Sequence, residues 1–338
     1  MKKDKLKDEN TMPYRLISDE EYEKFKSKAP YNALDFDEYK KKGQVFINSS
    51  GDSLSFLQCH DIDSLNEESL NILKARFNLN TEDLEGKFDE ATHGAGKEIN
   101  RICTLISSSL CAFLHFSNVS ESNPITINEI EYNEVHFEVK NKVITNSSNM
   151  DVVLISKDEN KDIKTILFLE SKFSEYLDLS EDKKDISSKY DDEYRKFGLF
   201  KKYYDFDYDF DKNKWVLKGN DNREAFFEGV KQMISHYIGV ENFINDGYES
   251  IKKINQDKLK PDCQVLLGEI LFSAWPDEYK NYEEEYKKIY EVLNSRENPK
   301  ENLIVLKNLL TYKELFEDNK DNSKILNEKI RKFYKYDI

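Results

Sequence analysis

The chain has 338 residues, with 51 Lys and Arg against 66 Asp and Glu, which gives a formal net charge of −15. Its 11 Gly, 6 Pro and 4 Cys are too few for a collagen-like, low-complexity or disulfide-framework protein. Hydrophobic residues make up 38% and aromatic residues 13% of the chain, so it can bury a large core and global disorder is excluded.

We expect neither a membrane-spanning helix nor a secretory signal. It contains no stretch of about 18 apolar residues, and the charged segment MKKDKLKDEN is not followed by an apolar run. We therefore expect a cytoplasmic protein with no membrane partner. The four cysteines form no CxxC pair and the histidines show no metal-binding spacing, which favours reduced thiols over a zinc site.

The acidic balance bears on nucleic-acid binding. Clustered Lys and Arg supply most of the affinity for phosphate backbones, so a net charge of −15 argues against indiscriminate binding. A local basic groove is still compatible with this charge. Carboxylates that bind a divalent cation would also count toward the formal net charge, although the bound cation would prevent them from repelling phosphates at that site.

The sequence of the first part of the chain, up to about residue 116, predicts mainly helices. SDEEYEKFKSKA predicts a short helix opened by a capping box of Ser18 and Glu21, within a charged arm over residues 1–50. SLNEESLNILKARF predicts a helix that packs against the rest. After Gly96, apolar residues at helical spacing predict one buried helix of about five turns. These residues are Ile99, Ile102, Ile106, Leu110, Phe113 and Leu114.

The second half mixes strands and helices. Residues 125–145 alternate and predict one or two strands, and the apolar runs Asp151–Ser156 and Ile163–Glu170 predict a β-hairpin across KDENKD. Residues 177–222 are acidic and aromatic and predict a helix plus an excursion. EAFFEGVKQMISHYIGVENFI predicts a helix, CQVLLGEILFSAW a buried strand, and the remainder from Asp277 more helices.

The hairpin brings two carboxylates together. If its turn is centred between Asn160 and Lys161, Asp151 lies opposite Glu170. Like charges placed opposite each other destabilise a sheet unless a cation binds or one carboxyl is protonated. Side chains alternate along a strand, so Lys172 shares the face of Glu170 while Ser171 points away. Two carboxylates and an ammonium therefore converge where an apolar strand ends.

This grouping suits metal-assisted hydrolysis of phosphodiesters. Carboxylate oxygens are ligands that Mg²⁺ prefers, and the ion would polarise the phosphate and acidify a water. A nearby ammonium can orient that water and offset developing negative charge. The E-x-K pattern alone has little value because it occurs eight times in the chain. Glu170 differs from the others because it follows ILFL, a run apolar enough to be buried on both faces.

Asp151, followed after the hairpin by Glu170-Ser171-Lys172, resembles the D…(D/E)-x-K core of the PD-(D/E)XK nuclease superfamily, and is similar to uncharacterised bacterial nuclease families within it. A preceding helix with an acid near its start, here Glu98, fits the resemblance. A later helix with Gln232-Met-Ile-Ser-His236 fits as well. The resemblance covers about residues 90–275. The chain departs from it in having Asn149-Met150 before Asp151 and a long insertion at 177–222.

The resemblance implies roles for these residues. Asp151, Glu170 and the carbonyl of Ser171 would bind Mg²⁺, with Mn²⁺ as an alternative ion, and Lys172 would act on the attacking water. Glu98 would bind a second ion or orient water, and Gln232 would brace the site or the phosphate backbone. Each supporting residue also has a purely structural explanation. The helix dipole favours an acid such as Glu98 at a helix N-terminus, and Gln232 and His236, four residues apart, fit the polar face of an amphipathic helix.

We therefore expect an α/β protein with a restriction-endonuclease-like core, a central mixed β-sheet flanked by helices. The N-terminal arm and helical subdomain would span 1–90, the nuclease core 91–275 with its insertion at about 177–222, and a C-terminal helical extension 276–338. The expected activity is Mg²⁺-dependent endonucleolytic cleavage of DNA, in restriction or defence against foreign DNA. A homodimer is expected, because cleavage of both strands of a duplex commonly needs two sites.

Two other functions are compatible with the same residues. A nuclease of this fold that acts on RNA or on a particular nucleic-acid structure would use the same metal chemistry. A binding protein that kept the fold without catalysis is the non-enzymatic alternative, and the presence of Asp151, Glu170 and Lys172 together argues against it.

Overall fold

The computed structural model describes residues 14–58, 65–81, 83–92, 102–144, 146–177, 191–200, 204–209, 214–219, 227–246, 259–319 and 327–336. The chain packs as two compact units, Met1–Glu138 with Tyr312–Ile338, and Val139–Thr311. These units divide the chain at positions other than the predicted boundaries at 90 and 275. Within the described ranges, we find no helix with both the length and the apolar character that a bilayer span requires.

The helices, in chain order, are α1 (Asp19–Lys26), α2 (Asp37–Lys41), α3 (Leu65–Phe77), α4 (Leu84–Thr92), α5 (Ser108–Phe116), α6 (Asp191–Arg195), α7 (Phe227–Asp246), α8 (Pro276–Leu293), α9 (Tyr312–Asp318) and α10 (Glu328–Phe333). The strands are β1 (Arg15–Leu16), β2 (Phe46–Ile47), β3 (Leu54–Ser55), β4 (Ile125–Ile127), β5 (Ile130–Tyr132), β6 (Glu134–Lys142), β7 (Ser147–Lys157), β8 (Ile163–Lys172), β9 (Tyr204–Asp209), β10 (Lys214–Gly219), β11 (Leu259–Leu271), β12 (Leu303–Val305) and β13 (Leu310–Thr311).

The predicted start of α1 is confirmed. The Ser18 side chain accepts a hydrogen bond from the Glu21 backbone N–H, and the Glu21 carboxylate accepts one from the Ser18 N–H at 3.1 Å. This reciprocal pair satisfies two backbone donors that the first turn of a helix leaves unpaired. Elsewhere in this unit, the described aromatic contacts join Tyr39, Phe56, Phe77 and Phe333 in one cluster.

The prediction of one long helix before residue 116 is wrong for residues 102–107. There the chain turns, Thr104 bridges to Ser55, and the Leu105 N–H donates to the Leu54 carbonyl at 3.0 Å. Helix α5 begins only after Ser107, whose side chain accepts from the Leu110 N–H. Pairing with β3 therefore overrides the apolar spacing of Ile102 and Ile106, because tertiary contacts outweigh local propensity.

Two further strand predictions need correction. Residues 125–142 form three strands rather than one or two, and Asn128 and Glu129 both have positive φ between β4 and β5, as in a two-residue hairpin turn. The segment after α8 is not all helical, because β12 and β13 pair in parallel with β11. These strands have only three and two residues, too few to show a period in the sequence.

The central sheet is mixed, as expected. Its strand order is β12-β11-β8-β7-β6, with β13 also beside β11. Strand β7 runs antiparallel to β8, with Val152 opposite Leu169 and Ser156 opposite Thr165. Strand β11 runs parallel to β8. The predicted hairpin and its register are therefore confirmed, and the excursion at 177–222 contributes α6 and the antiparallel pair β9–β10.

One face of this sheet supports α7 and α8, which pack against each other. Buried apolar side chains of β7, β8 and β11 join those of the two helices in one core. Gly239 lets α7 approach β6 and β7, because a Cβ at this position would lie 3.0 Å from Asn141 Cβ and 3.6 Å from Ser148 Cβ. This close packing positions the polar side chains of α7 over the end of the hairpin.

Candidate active site

The antiparallel ladder of the hairpin ends beside Asp151. Continuing the register from the pair Val152 and Leu169 places Asp151 opposite Glu170. The Asp151 Oδ2 atom accepts a hydrogen bond from the Ser171 backbone N–H at 2.7 Å. The N–H and C=O of one strand residue project to the same side of the strand, so the Ser171 carbonyl also faces the Asp151 side of β8.

Glu170 and Lys172 form a buried ion pair at the end of β8. Their exposed fractions are only 4% and 6%. The Lys172 Nζ atom donates to Glu170 Oε1 at 2.7 Å. An ion pair removed from water persists only when further hydrogen bonds satisfy both groups. The apolar run Ile166–Leu169 precedes the pair and is buried on both faces, as predicted.

Gln232 on α7 completes this pair. Its Oε1 atom accepts from Lys172 Nζ at 2.6 Å, and its Nε2 atom donates to Glu170 Oε1 at 2.5 Å. An amide suits this position because it presents a donor to the carboxylate and an acceptor to the ammonium. The helix that the sequence analysis matched to the nuclease motif therefore contacts the Glu170-Ser171-Lys172 segment directly.

His236 approaches the other oxygen of Glu170, one turn of α7 beyond Gln232. Its Nε2 atom lies 2.9 Å from Glu170 Oε2, and both atoms are buried. The carboxylate oxygen carries only lone pairs, so Nε2 must hold the ring proton that faces it. The Nδ1 atom contacts Ser148 Oγ on β7, which fixes the orientation of the ring.

The electrostatics of the site keep the Glu170 and Lys172 pair ionised. Burial alone would raise the pKa of Glu170, but the charges of Lys172 and His236 and their hydrogen bonds outweigh burial and lower it to about 2. Burial would lower the pKa of Lys172, yet the carboxylates of Glu170, Glu269 and Glu175 raise it above its usual range. Lys172 is therefore a stable cation and not a resting base.

Glu269, a second buried acid beside this pair, is not among the residues predicted from the sequence. It lies on β11 opposite Glu170 and is 1% exposed. Burial raises the pKa of Glu269 to about 7, against the charge of Lys172 and a hydrogen bond from Tyr282. The signal in the sequence was a lone carboxylate inside the apolar run VLLGEIL, since buried charges are rare unless they are paired.

The structure thus brings Asp151, Glu170, Ser171, Lys172 and Gln232 to one end of the sheet. Glu98 lies outside the described residues. Among the residues that are described, no group of three or more His, Cys, Asp and Glu side chains is arranged to hold a metal ion. The hairpin supplies two carboxylates to the candidate site, Asp151 and Glu170. A metal ion there would therefore need the Ser171 carbonyl, Glu98 or water as additional ligands.

A separate cavity of about 660 Å³ lies in the unit formed by Met1–Glu138 and Tyr312–Ile338. It is lined on one side by α3 and on another by residues such as Tyr39, Lys332 and Phe333. None of the predicted site residues lines it. The hairpin end is the stronger candidate site, because the buried charged groups and their hydrogen bonds are gathered there.

Comparisons with known proteins returned no relative. No family model matches the chain, and no curated protein or solved structure matches it.

Proposed function

We propose that this protein is a Mg²⁺-dependent nuclease that cleaves DNA, with a restriction-endonuclease-like core and its active site at the end of the β7–β8 hairpin. The observation that carries the proposal is the hydrogen-bonded set of Glu170, Lys172 and Gln232, with Asp151 opposite Glu170. A solvated strand end would leave these charges exposed, whereas two of them are buried and held in defined positions.

The donor set fits a hard divalent cation. Glu170 Oε2 is buried and faces His236 Nε2 at 2.9 Å, and a carboxylate oxygen has a further lone pair with which it could bind an ion. Asp151 is only partly buried, and its Oδ2 atom accepts the hydrogen bond from the Ser171 backbone N–H. Asp151, Glu170 and the Ser171 carbonyl would hold Mg²⁺, which prefers such oxygen ligands and retains several waters. The ion would supply Lewis-acid activation of a phosphate and a water.

The other side chains have separate tasks. Lys172 stays positively charged, so it can orient a water and stabilise the negative charge that develops on the phosphate oxygens. Gln232 holds Lys172 and Glu170 at fixed positions and is itself only partly buried. His236 and Ser148 fix the far oxygen of Glu170. Preorganised groups of this kind need little rearrangement in the transition state.

The test is incubation of the purified protein with plasmid DNA, single-stranded DNA and RNA, each with Mg²⁺ or with EDTA. We expect Mg²⁺-dependent cleavage of DNA that is lost in EDTA and in the Asp151→Asn variant. If the protein cleaves only RNA, the proposed active site stands and the substrate is RNA rather than DNA. Absence of cleavage of all three substrates with Mg²⁺ and with Mn²⁺ would contradict the proposal and favour a non-enzymatic binding protein.

A further inference from the structure

Glu269 shares the sheet face of Glu170 and Lys172. In the parallel pair of β11 and β8, Glu269 lies opposite Glu170, and Leu271 lies opposite Lys172. Paired residues of adjacent strands project to the same face, so the Glu269 carboxylate lies beside the ion pair. Three titratable groups from two strands are therefore buried together, with exposed fractions of 4%, 6% and 1% for Glu170, Lys172 and Glu269.

The hydrogen bonds of Glu269 are incomplete. Its Oε2 atom accepts from the Tyr282 hydroxyl at 2.8 Å, whereas its Oε1 atom has no hydrogen-bond partner among the described residues. A buried carboxylate in this state is costly unless a nearby cation balances its charge. Lys172 is the cation whose charge acts on it, and Lys172 uses two of its three N–H bonds on Glu170 and Gln232.

Helix α8 holds Glu269 in this position. Tyr282 and Tyr286 lie one turn apart on α8 and are both buried. Tyr286 donates to the Leu306 carbonyl at 2.8 Å, which anchors the helix beside β12. The titratable groups that face Glu269 are thus Glu170 and Lys172 from β8, and Tyr282 and Tyr286 from α8.

We propose that Glu269 is a positioning residue for Lys172, with Tyr282 fixing its carboxylate, and this inference rests on the proposed nuclease function. A single carboxylate that both pairs with Lys172 and serves as a metal ligand would have its charge divided between two cations. A second buried carboxylate beside the pair, that of Glu269, keeps the Lys172 ammonium in place when Glu170 binds the metal ion. Glu269 itself touches no reacting atom in this role.

The variant Glu269→Gln, assayed at about pH 8.5 where the Glu269 carboxyl is mostly ionised, tests this role because it keeps the shape and the hydrogen bond from Tyr282 but removes the charge. We expect kcat to fall about tenfold with little change in KM, since Lys172 acts on developing charge rather than on binding. Glu269→Asp keeps the charge and should restore part of the rate. Glu285→Gln, which changes another largely buried acid on α8, is the control and should have no effect.

A second readout does not need catalysis. Acetylation of Lys172 in the metal-free protein, measured by peptide mass spectrometry, should be at least about threefold faster in Glu269→Gln, because only the neutral amine is acylated and the loss of a nearby negative charge favours that form. Lys164, exposed on the same strand, is the internal reference. An unchanged kcat together with unchanged Lys172 acetylation would overturn the inference, and equal losses in the Gln and Asp variants would reduce Glu269 to a packing residue.

The two readouts also separate this inference from the proposed function. If the wild-type protein cleaves no nucleic acid but Lys172 acetylation rises in Glu269→Gln, the nuclease proposal fails and the positioning of Lys172 stands. If the wild-type protein cleaves DNA and Glu269→Gln changes neither readout, only the positioning role fails.

Discussion

Lys172 and Gln232 are 60 positions apart in the chain, yet Lys172 Nζ donates to Gln232 Oε1 at 2.6 Å. This contact joins the end of β8 to the middle of α7, across a stretch that includes the long insertion. It links the Glu170-Ser171-Lys172 segment, which carries the sequence resemblance to nucleases, to Gln232, one of the features that support that resemblance. The tests of the site can therefore separate the roles of the strand residues from those of the helix.

The first prediction concerns the strand residues. Asp151→Asn, Glu170→Gln and Lys172→Ala should each reduce cleavage at least about a hundredfold, because under the proposed function each removes a metal ligand or a charge beside the reacting water. The measurement is the single-turnover rate on plasmid DNA with Mg²⁺, with circular dichroism to verify folding. Glu159→Gln in the hairpin turn and Lys164→Ala on β8 are matched controls at exposed positions. Full activity in two of the three site variants would refute the site.

Glu98 is tested in the same assay. Glu98→Gln should cost less than the three hairpin variants if this acid binds a second ion or orients water. If the variant has wild-type activity, Glu98 is only a favourable charge near a helix start.

The second prediction concerns the amide of Gln232. Gln232→Glu would place a carboxylate within hydrogen-bond distance of Glu170 Oε1, where like charges repel and burial strengthens the effect. We expect a lower melting temperature and at least about a tenfold loss of rate, whereas Gln232→Ala should lose rate with a smaller change in stability. Thermal unfolding and cleavage rates are measured on both variants. Equal stability of the Glu and Ala variants would show that this contact does not form in solution.

The sequence predicts the hairpin part of this site for a simple reason. Side chains alternate along strands, so the length of the KDENKD loop fixes which acid faces which. The position of Glu269 is different, because it depends on β11 lying beside β8 in parallel. Parallel neighbours are joined through long crossovers, and no local pattern specifies their order or register. The contact between His236 and Ser148 requires the same tertiary information.

Local patterns also failed where tertiary pairing competes with them. The apolar spacing over residues 102–106 fits a helix, but Thr104 and Leu105 pair with β3 instead. The fold class was therefore predictable from the strongly periodic and strongly apolar segments, whereas short strands and helix starts depended on contacts between distant residues.

The third prediction concerns Gly239, which lies one turn beyond His236 on α7. In Gly239→Ala the new Cβ would lie 3.0 Å from Asn141 Cβ, closer than ordinary van der Waals contact, so Asn141 or the helix must shift slightly. We expect a loss of about 1–3 kcal/mol in the free energy of unfolding from overpacking, together with reduced cleavage, because Gln232 and His236 shift with the helix. Gly198→Ala is the control, since its Cβ would lie an ordinary 3.6 Å from the Ser295 carbonyl oxygen. Wild-type stability and activity in Gly239→Ala would contradict this packing.

The fourth prediction concerns pH and is independent of the site. Burial disfavours the charged form of His136, but hydrogen bonds and charges from Glu134 and Glu90 outweigh burial and raise its pKa to about 9. The pKa of His136 in the folded protein is therefore above the value of about 6.5 for an unfolded chain. The contribution of His136 to the free energy of unfolding is fully present below pH 6.5 and is lost as pH rises toward 9. His136→Gln should therefore lower the urea midpoint clearly at about pH 6 and little at about pH 9.5. Equal effects at both pH values would show that His136 is not charged in the folded protein.

The fifth prediction concerns binding of DNA by an acidic protein. Because the formal charge is −15, affinity for a polyanion requires Lys and Arg to be concentrated beside the hairpin end, and requires a divalent ion between the carboxylates and the phosphates. DNA affinity should then fall steeply with salt and rise with Ca²⁺, an ion that can occupy a carboxylate site. The measurement is a salt titration of DNA affinity with Ca²⁺ and with EDTA. Asp151→Asn should lose the Ca²⁺ effect while keeping the salt dependence, whereas Glu159→Gln should behave as wild type. Affinity that responds to neither salt nor Ca²⁺, or no binding to any nucleic acid, would favour the non-enzymatic alternative, in which the buried pair of Glu170 and Lys172 has only a structural role.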